Sequence, residues 1–353
     1  MKKNLNYSLW IALPLFVLGS ALLPMPSRAQ FVYVANSLSG GLTGYSIQSD
    51  GSLKLIPGEP FAPGIAPGSV AVDSTSGYVY ALGVALGAYK LEVNGALAPV
   101  PDEPYQVGPN PGSVAVDGRG RFVYTTDSGK RIFAFQIRND GSLRKVPGSP
   151  FTTGDYPGSL AVSADSHYLY VQSATYPRSD LSVYSIRSTG ALKQVPGSPV
   201  TTGINPNSTV VDPQGKFVYV PNLDGTLSAY SVGSQGILTP IKGSPFKLGF
   251  EPGLMAIEPG GQFAYIADLS NPQNRIAGYS IGTDGVLTPL SGSPFQVGGT
   301  VLLAIDPQGP FMYGINALGL FGVAITSDGS LKALPGSYPV GEMPSGLAIA
   351  PKP

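Results

Sequence analysis

Beyond its first 29 residues the chain runs in short stretches of alternating apolar and polar positions, with no helical periodicity. One stretch returns seven times, at intervals of 44 to 49 residues: Phe31-Val-Tyr33, Tyr78-Val-Tyr80, Phe122-Val-Tyr124, Tyr168-Leu-Tyr170, Phe217-Val-Tyr219, Phe263-Ala-Tyr265 and Phe311-Met-Tyr313. Each copy is followed by the same parts in the same order. A second alternating run comes first (Leu227-Ser-Ala-Tyr-Ser-Val232), then a tight glycine turn (Asp50-Gly51, Asn94-Gly95, Asp140-Gly141 and their equivalents). A short third run (Leu192-Lys-Gln-Val195) leads into Pro147-Gly-Ser-Pro-Phe151 or its counterpart, and a small-residue apolar run such as Ser113-Val-Ala-Val116 closes the unit. Four short β-runs in a unit of this length, seven times over, predict an all-β, seven-bladed β-propeller with four-stranded blades. The Asx-Gly pairs predict two-residue hairpin turns, where positive φ is tolerated. The small-residue run suits the innermost strand, where blades crowd the axis. The Pro-rich segment is expected to return the chain from the outer edge of one blade to the axis of the next, stiffened by proline.

The ends of the pattern predict how the ring closes. The repeat region begins with Phe31-Val-Tyr33 and lacks the small-residue strand that should precede it. That piece stands at the other end, as Gly346-Leu-Ala-Ile-Ala350. The last strand should therefore pair with the first blade and leave no open sheet edge.

Composition changes this picture little. Gly (47) and Pro (35) are abundant among 353 residues, but they recur at fixed offsets and so read as turn residues rather than low complexity. Lys2 and Lys3, the apolar run Leu9–Leu23 and the small residues of Ser27-Arg28-Ala29 read as an export signal cleaved after Ala29. The run is shorter than the roughly 20 residues needed to span a bilayer. The expected organisation is thus a signal peptide at 1–29 and one propeller domain at 30–353, periplasmic or extracellular, with no membrane span after cleavage. Without Lys2, Lys3 and Arg28, 18 of the 21 basic residues remain against 21 acidic ones, a balance that favours neither nucleic acid nor an anionic membrane. The absence of cysteine removes disulfides, thiolate catalysis and thiolate metal sites. No metal and no cofactor are expected, and the closed ring suggests a monomer.

The runs Phe31-Val-Tyr-Val-Ala-Asn36 and Phe217-Val-Tyr-Val-Pro-Asn222, each followed by a Tyr-Ser-Ile/Val strand and a glycine turn, resemble YVTN-type propellers. More closely, residues 31–350 resemble the lactonase family of seven-bladed propellers, related to bacterial 6-phosphogluconolactonase. The resemblance implies hydrolysis of a lactone ring. It also implies a histidine with arginine and glutamate partners in the central funnel, as in related lactonising propellers. This sequence departs from that pattern: its only histidine, His167, falls just before Tyr168-Leu-Tyr170, on the connection expected to face away from the funnel mouth, and reads as a surface turn residue.

In a repeat protein the functional candidates are residues that break the pattern on the ligand-facing side. The connections between second and third strands are longest in the fourth and sixth copies. These carry Tyr176, Arg178 and Asp180, and Asp268 and Arg275. Asp127, Lys130 and Arg131 stand in the third copy and Asp224 in the fifth, with Asp155 and Glu251 in inter-blade crossings. One reading makes Arg178 and Arg275 hold an anionic or carbonyl-bearing ligand while Glu251 or Asp268 activates water, with Tyr176, Asp180, Asp127, Arg131 and Asp224 lining the site. The plainer reading is solvated loop charges in exposed ion pairs worth roughly 0–1 kcal/mol each. There is no Gly-x-Ser-x-Gly elbow, no histidine pair for zinc and no calcium loop. Two functions follow: a non-catalytic exported propeller that binds a small molecule, glycan or protein at its funnel face, which is the favoured one, and alternatively a lactone-ring hydrolase.

Overall fold

The computed structural model describes residues 30–62, 64–174, 179–270, 275–298 and 302–353. The export signal and its cleavage point lie outside the described residues. Seven antiparallel sheets surround one axis, each built from four main strands. In the fourth blade these are Pro157–Val162, Tyr168–Ser173, Asp180–Ile186 and Leu192–Gln194, from the axis outward. The innermost strands touch one another in a closed circuit: 344–351, 69–73, 111–116, 157–162, 210–211, 252–257, 302–305 and back to 344–351. Among the described residues no helix is long and apolar enough to cross a membrane.

Closure occurs as the ends of the pattern predict. Pro344–Pro351 pairs antiparallel with Gln30–Asn36, setting Val32 against Ile349 and Tyr33 against Ala348. First and last segments of the repeat region thus share one blade, and the ring is held by a full strand ladder rather than by side-chain packing alone.

The patterned tyrosine does more than fill space. All seven are fully buried, and in five of them the hydroxyl reaches the next blade. Tyr33 Oη donates to the carbonyl of Gly95, Tyr124 to Gly190, Tyr219 to Gly285, Tyr265 to Gly329 and Tyr313 to Gly51, at 2.5–3.1 Å. Burial raises the pKa of these phenols, so they stay protonated donors. The acceptor is always the glycine of the outer hairpin. That glycine has positive φ, and a Cβ on it would come within 2.5–2.6 Å of the aromatic residue two positions before the tyrosine. Both the conformation and the space therefore demand glycine. In the two copies where that aromatic is Tyr78 or Tyr168 rather than phenylalanine, the bond is missing: the hydroxyls of Tyr80 and Tyr170 are buried without a partner.

Two local expectations are revised. The outer hairpins are not two-residue turns. In the first blade Gln48 N donates to Ser52 O and Gly51 N to Gln48 O, enclosing three residues of which only Gly51 has positive φ. A right-handed turn followed by one left-handed glycine needs a single positive φ, which is why Asp, Asn or Thr suffices before the glycine; Asp50 Oδ1 then accepts from Ser52 N at 2.9 Å. The Pro-rich crossing is also more than a stiff tether. Its closing aromatic or Val pairs back onto the third strand, as where Phe61 and Leu42 exchange backbone bonds of 2.9 and 2.7 Å, so part of the crossing extends the blade edge.

Candidate functional site in the central funnel

The innermost strands enclose a cavity of about 690 Å³ that opens at the end carrying the inter-blade crossings and the second-to-third-strand turns. Leu223 and Leu269 from those turns, and Glu251 from a crossing, stand at its wall. Among the described residues Glu251 is the only charged side chain that lines it.

The crossings show how Glu251 comes to differ from its counterparts. Ala66, Asn110, Tyr156, Asn205 and Met343 each precede the proline that opens an innermost strand, and each is left-handed, with φ of 45–51°. For a non-glycine residue this costs about 1–2 kcal/mol, and it is unusual before proline. Glu251 occupies the same place before Pro252 without positive φ; Gly249, with φ of 79°, makes the left-handed bend instead. The side chain therefore leaves a backbone of the opposite hand. Its position is held by a bond from Leu269 N to Glu251 O of 2.8 Å.

Below the mouth, the decisive register is the residue two before the one that pairs with the patterned tyrosine. It is Ser69, Ser113, Ser159 and Ser208 in blades two to five, then Leu254, Leu302 and Gly346 in blades six, seven and one. Ser69 Oγ accepts from Val114 N at 3.3 Å, and Ser159 Oγ accepts from Thr209 N at 3.2 Å. Each hydroxyl thus ties two adjacent innermost strands and keeps its own proton to donate. Gln172, a lining residue 4% exposed, points its Nε2 to Pro206 O at 2.8 Å and leaves Oε1 buried without a partner. Glycine at 158 leaves the amide room, since a Cβ there would lie 3.0 Å from Gln172 Nε2.

The other predicted residues are occupied elsewhere. Asp127 accepts from Arg131 through Nε and Nη2 at 3.0 and 2.5 Å, and from the backbone N of Gly129 and Arg131. Asp268 accepts from Arg275 Nη2 at 2.8 Å and from Ser270. Both pairs clamp the turn between the second and third strands of their own blade, joining the last residue of one strand to the first of the next. Asp224 accepts from Thr226 and, across to the preceding crossing, from Ile204 N at 2.8 Å. Lys130 pairs with Asp155. Asp180 opens the third strand of the fourth blade with Oδ1 buried and unpartnered; burial first, and then the charge of Asp155, raises its pKa. Tyr176 and Arg178 lie outside the described residues. Of the proposed catalytic set, then, Glu251 stands on the cavity, while Arg275 and Asp268 answer each other and are not among its lining residues. His167 sits on the opposite face, 57% exposed, its Nδ1 2.9 Å from Asp165 Oδ2.

The ring of serines and leucines was not among the sequence candidates. The serines recur, and recurrence reads as structure. The signal that could have found the site was the place where recurrence stops, at Leu254 and Leu302.

Such a closed, seven-bladed ring with its cavity on the axis is shared with a known family. The family described as lactonase, 7-bladed beta-propeller, matches residues 82–266, and the chain belongs to it. No curated protein matches the chain. Among solved structures it is similar to the periplasmic gluconolactonase PpgL of Pseudomonas aeruginosa, with TM-score 0.72 and 17% identity over 92% of this chain and 100% of that one. It is similar also to a candidate 6-phosphogluconolactonase of Bacteroides fragilis (TM-score 0.74, 16% identity, 92% and 98% covered). A third likeness is to a Lactobacillus plantarum protein (TM-score 0.72, 17% identity, 91% and 99% covered). At these identities the likeness is one of fold.

Proposed function

We propose that the chain is an exported hydrolase that opens an uncharged lactone in its central funnel, with Glu251 as general base. The observation that carries this reading is that, among the described residues, Glu251 is the lone carboxylate on the wall of a cavity of about 690 Å³ whose other polar side chains are neutral hydroxyls and amides. Membership of the lactonase propellers supports the reaction class. The likeness to a protein named a periplasmic gluconolactonase accords with an exported enzyme.

The chemistry runs as follows. A water oxygen adds to the lactone carbonyl carbon while Glu251 takes one of its protons. The carbonyl electron pair moves onto oxygen, and the hydroxyl of Ser69 or Ser159, already anchored as an acceptor, donates to that oxyanion. Collapse of the tetrahedral intermediate breaks the bond to the ring oxygen, which leaves as a hydroxyl by taking the proton back from Glu251. The product is the open hydroxy acid. A phosphorylated sugar lactone suits this funnel poorly, because no lysine or arginine among the described residues lines it and Glu251 would repel a phosphate.

The binding-only reading draws on the same absence of a lining cation among the described residues, where Arg131 and Arg275 pair with Asp127 and Asp268. A lactone-hydrolysis panel on the chain lacking residues 1–29 separates the two. Turnover that falls about 100-fold or more in Glu251→Gln, with thermal unfolding unchanged, is expected. Ligand binding without turnover, or turnover indifferent to Glu251, would establish the non-catalytic reading or a different base.

A further inference from the structure

The funnel has two chemically different halves. From blade two to blade five its wall presents Ser69, Ser113, Ser159, Gln172 and Asn207, with Val70, Val114 and Leu223 among them. From blade six round to blade one it presents Leu254, Leu269, Leu302, Leu303 and Leu347, with Glu251 and Ser345 as the polar members. The fold does not demand leucine there. At the register of Leu254 and Leu302 four other blades carry serine on the same ladder with the same tyrosine partner. Leu254, Leu302 and Leu347 also join one apolar cluster, so their half of the wall is continuous. Leu254 and Leu347 are only partly buried in that cluster, and the apolar surface each keeps toward the cavity is surface that a ligand would cover.

Exposed apolar side chains stand on the rim of both halves, with Val84 at 70% and Tyr156 at 69% beside blades two and four. Leu318, in the turn of blade seven, is 81% exposed; Leu38 and Met343, at blade one, are each 64% exposed. Leu38 and Met343 are neighbours through the bonds from Ser37 N to Met343 O and Leu38 N to Glu342 O. An uncharged polyol would find partners on only half the wall.

Resting on the hydrolase reading, we infer that the substrate is amphiphilic: an uncharged lactone bearing an aliphatic substituent. The ring and its carbonyl meet the serine half, where Ser69 and Ser159 donate. The aliphatic arm lies along Leu254, Leu302 and Leu347 and leaves the funnel over Leu318 and Met343. Glu251, at the start of the apolar half, stands over the junction of ring and arm.

Two measurements test this, using the chain without residues 1–29. The first is kcat/KM for δ-lactones of rising alkyl length, from δ-hexalactone to δ-decalactone, with gluconolactone as the polyol comparison. The expected result is a rise of about threefold to fourfold for each methylene covered. The slope should flatten in Leu254→Ser, a change to the residue that four other blades carry at this register. The second is calorimetric binding of the matching 6-alkyl δ-lactams, which resist opening. Hydrolysis without dependence on chain length, or a preference for gluconolactone, overturns the amphiphile and keeps the hydrolase. Chain-length-dependent lactam binding with no lactone turnover overturns the hydrolase and keeps the amphiphile. Thermal unfolding of Leu254→Ser beside the parent verifies that the flattened slope is not a folding defect.

Discussion

The two faces of the ring are built on opposite rules. On the face carrying the outer hairpins, one interaction is repeated: an aromatic ring lies against a left-handed glycine whose carbonyl accepts the next tyrosine hydroxyl. On the funnel face each blade does something different. Asp127 and Asp268 clamp arginines, Asp224 ties a crossing, Ser69 and Ser159 bridge strands, and Leu254 and Leu302 line the cavity. Repetition on one face spreads blade-to-blade cohesion round the whole ring. That leaves the other face free to vary without loss of the fold, which is where a propeller can acquire chemistry.

The sharpest break of the comparison is removal of residues 344–353, which takes the innermost strand from blade one and leaves Gln30–Asn36 an open edge. Loss of more than about 5 kcal/mol is expected, beyond the range of ordinary point changes, read as loss of a single cooperative unfolding transition. Next comes Gly95→Ala on the hairpin face. Its φ of 88° and a Cβ 2.6 Å from Phe31 and Ile56 predict destabilisation by about 2–4 kcal/mol, with activity per folded molecule unchanged. A smaller pair of changes tests the repeat against its own exceptions. Tyr219→Phe loses a 2.8 Å bond to Gly285 and should lower stability in urea by about 1 kcal/mol. Tyr170→Phe removes a buried hydroxyl without a partner and should cost nothing, or stabilise by up to about 1 kcal/mol; equal losses in both would show that the tyrosine hydroxyl is not the bond that matters.

The smallest expected effect lies on the funnel face, at Asp180. Its carboxyl pKa is raised by burial, so the folded protein holds that proton more tightly than the unfolded chain does. The stability it contributes is complete below the unfolded value, near 3.9, and is lost as pH rises through the folded one. Asp180→Asn should therefore gain stability at neutral pH, by less than about 1 kcal/mol for a half-buried group. The gain should vanish as pH falls below the ordinary aspartate range. A gain that persists in acid would mean that Asp180 acts through packing rather than charge.

Much of this was open to inspection in the chain itself. Tyr33 through Tyr313 count the blades, and the stranded Gly346–Ala350 discloses the closure, because each depends on pattern and chain order alone. The hairpin geometry was misread because Asp-Gly suits both a two-residue turn and a three-residue one, and only the bond from Gln48 to Ser52 distinguishes them. The charged loops invited an arginine-based site. Yet Arg275 and Asp268 are the end residues of paired strands, so the ladder that brings the strands together also brings these charges together and neutralises them.

By itself the sequence determined the class, the number of blades, the manner of closure and the remoteness of His167, since all four follow from periodicity and from which connection a residue falls on. The tertiary structure decided which side chains share the axis. Residues such as Ser69 and Leu302 are 233 positions apart in the chain and become facing walls only when seven sheets close into a ring. Glu251 lines the cavity and lacks the positive φ that Ala66, Asn110, Tyr156, Asn205 and Met343 share at the same place before proline, a difference visible only in the folded crossing.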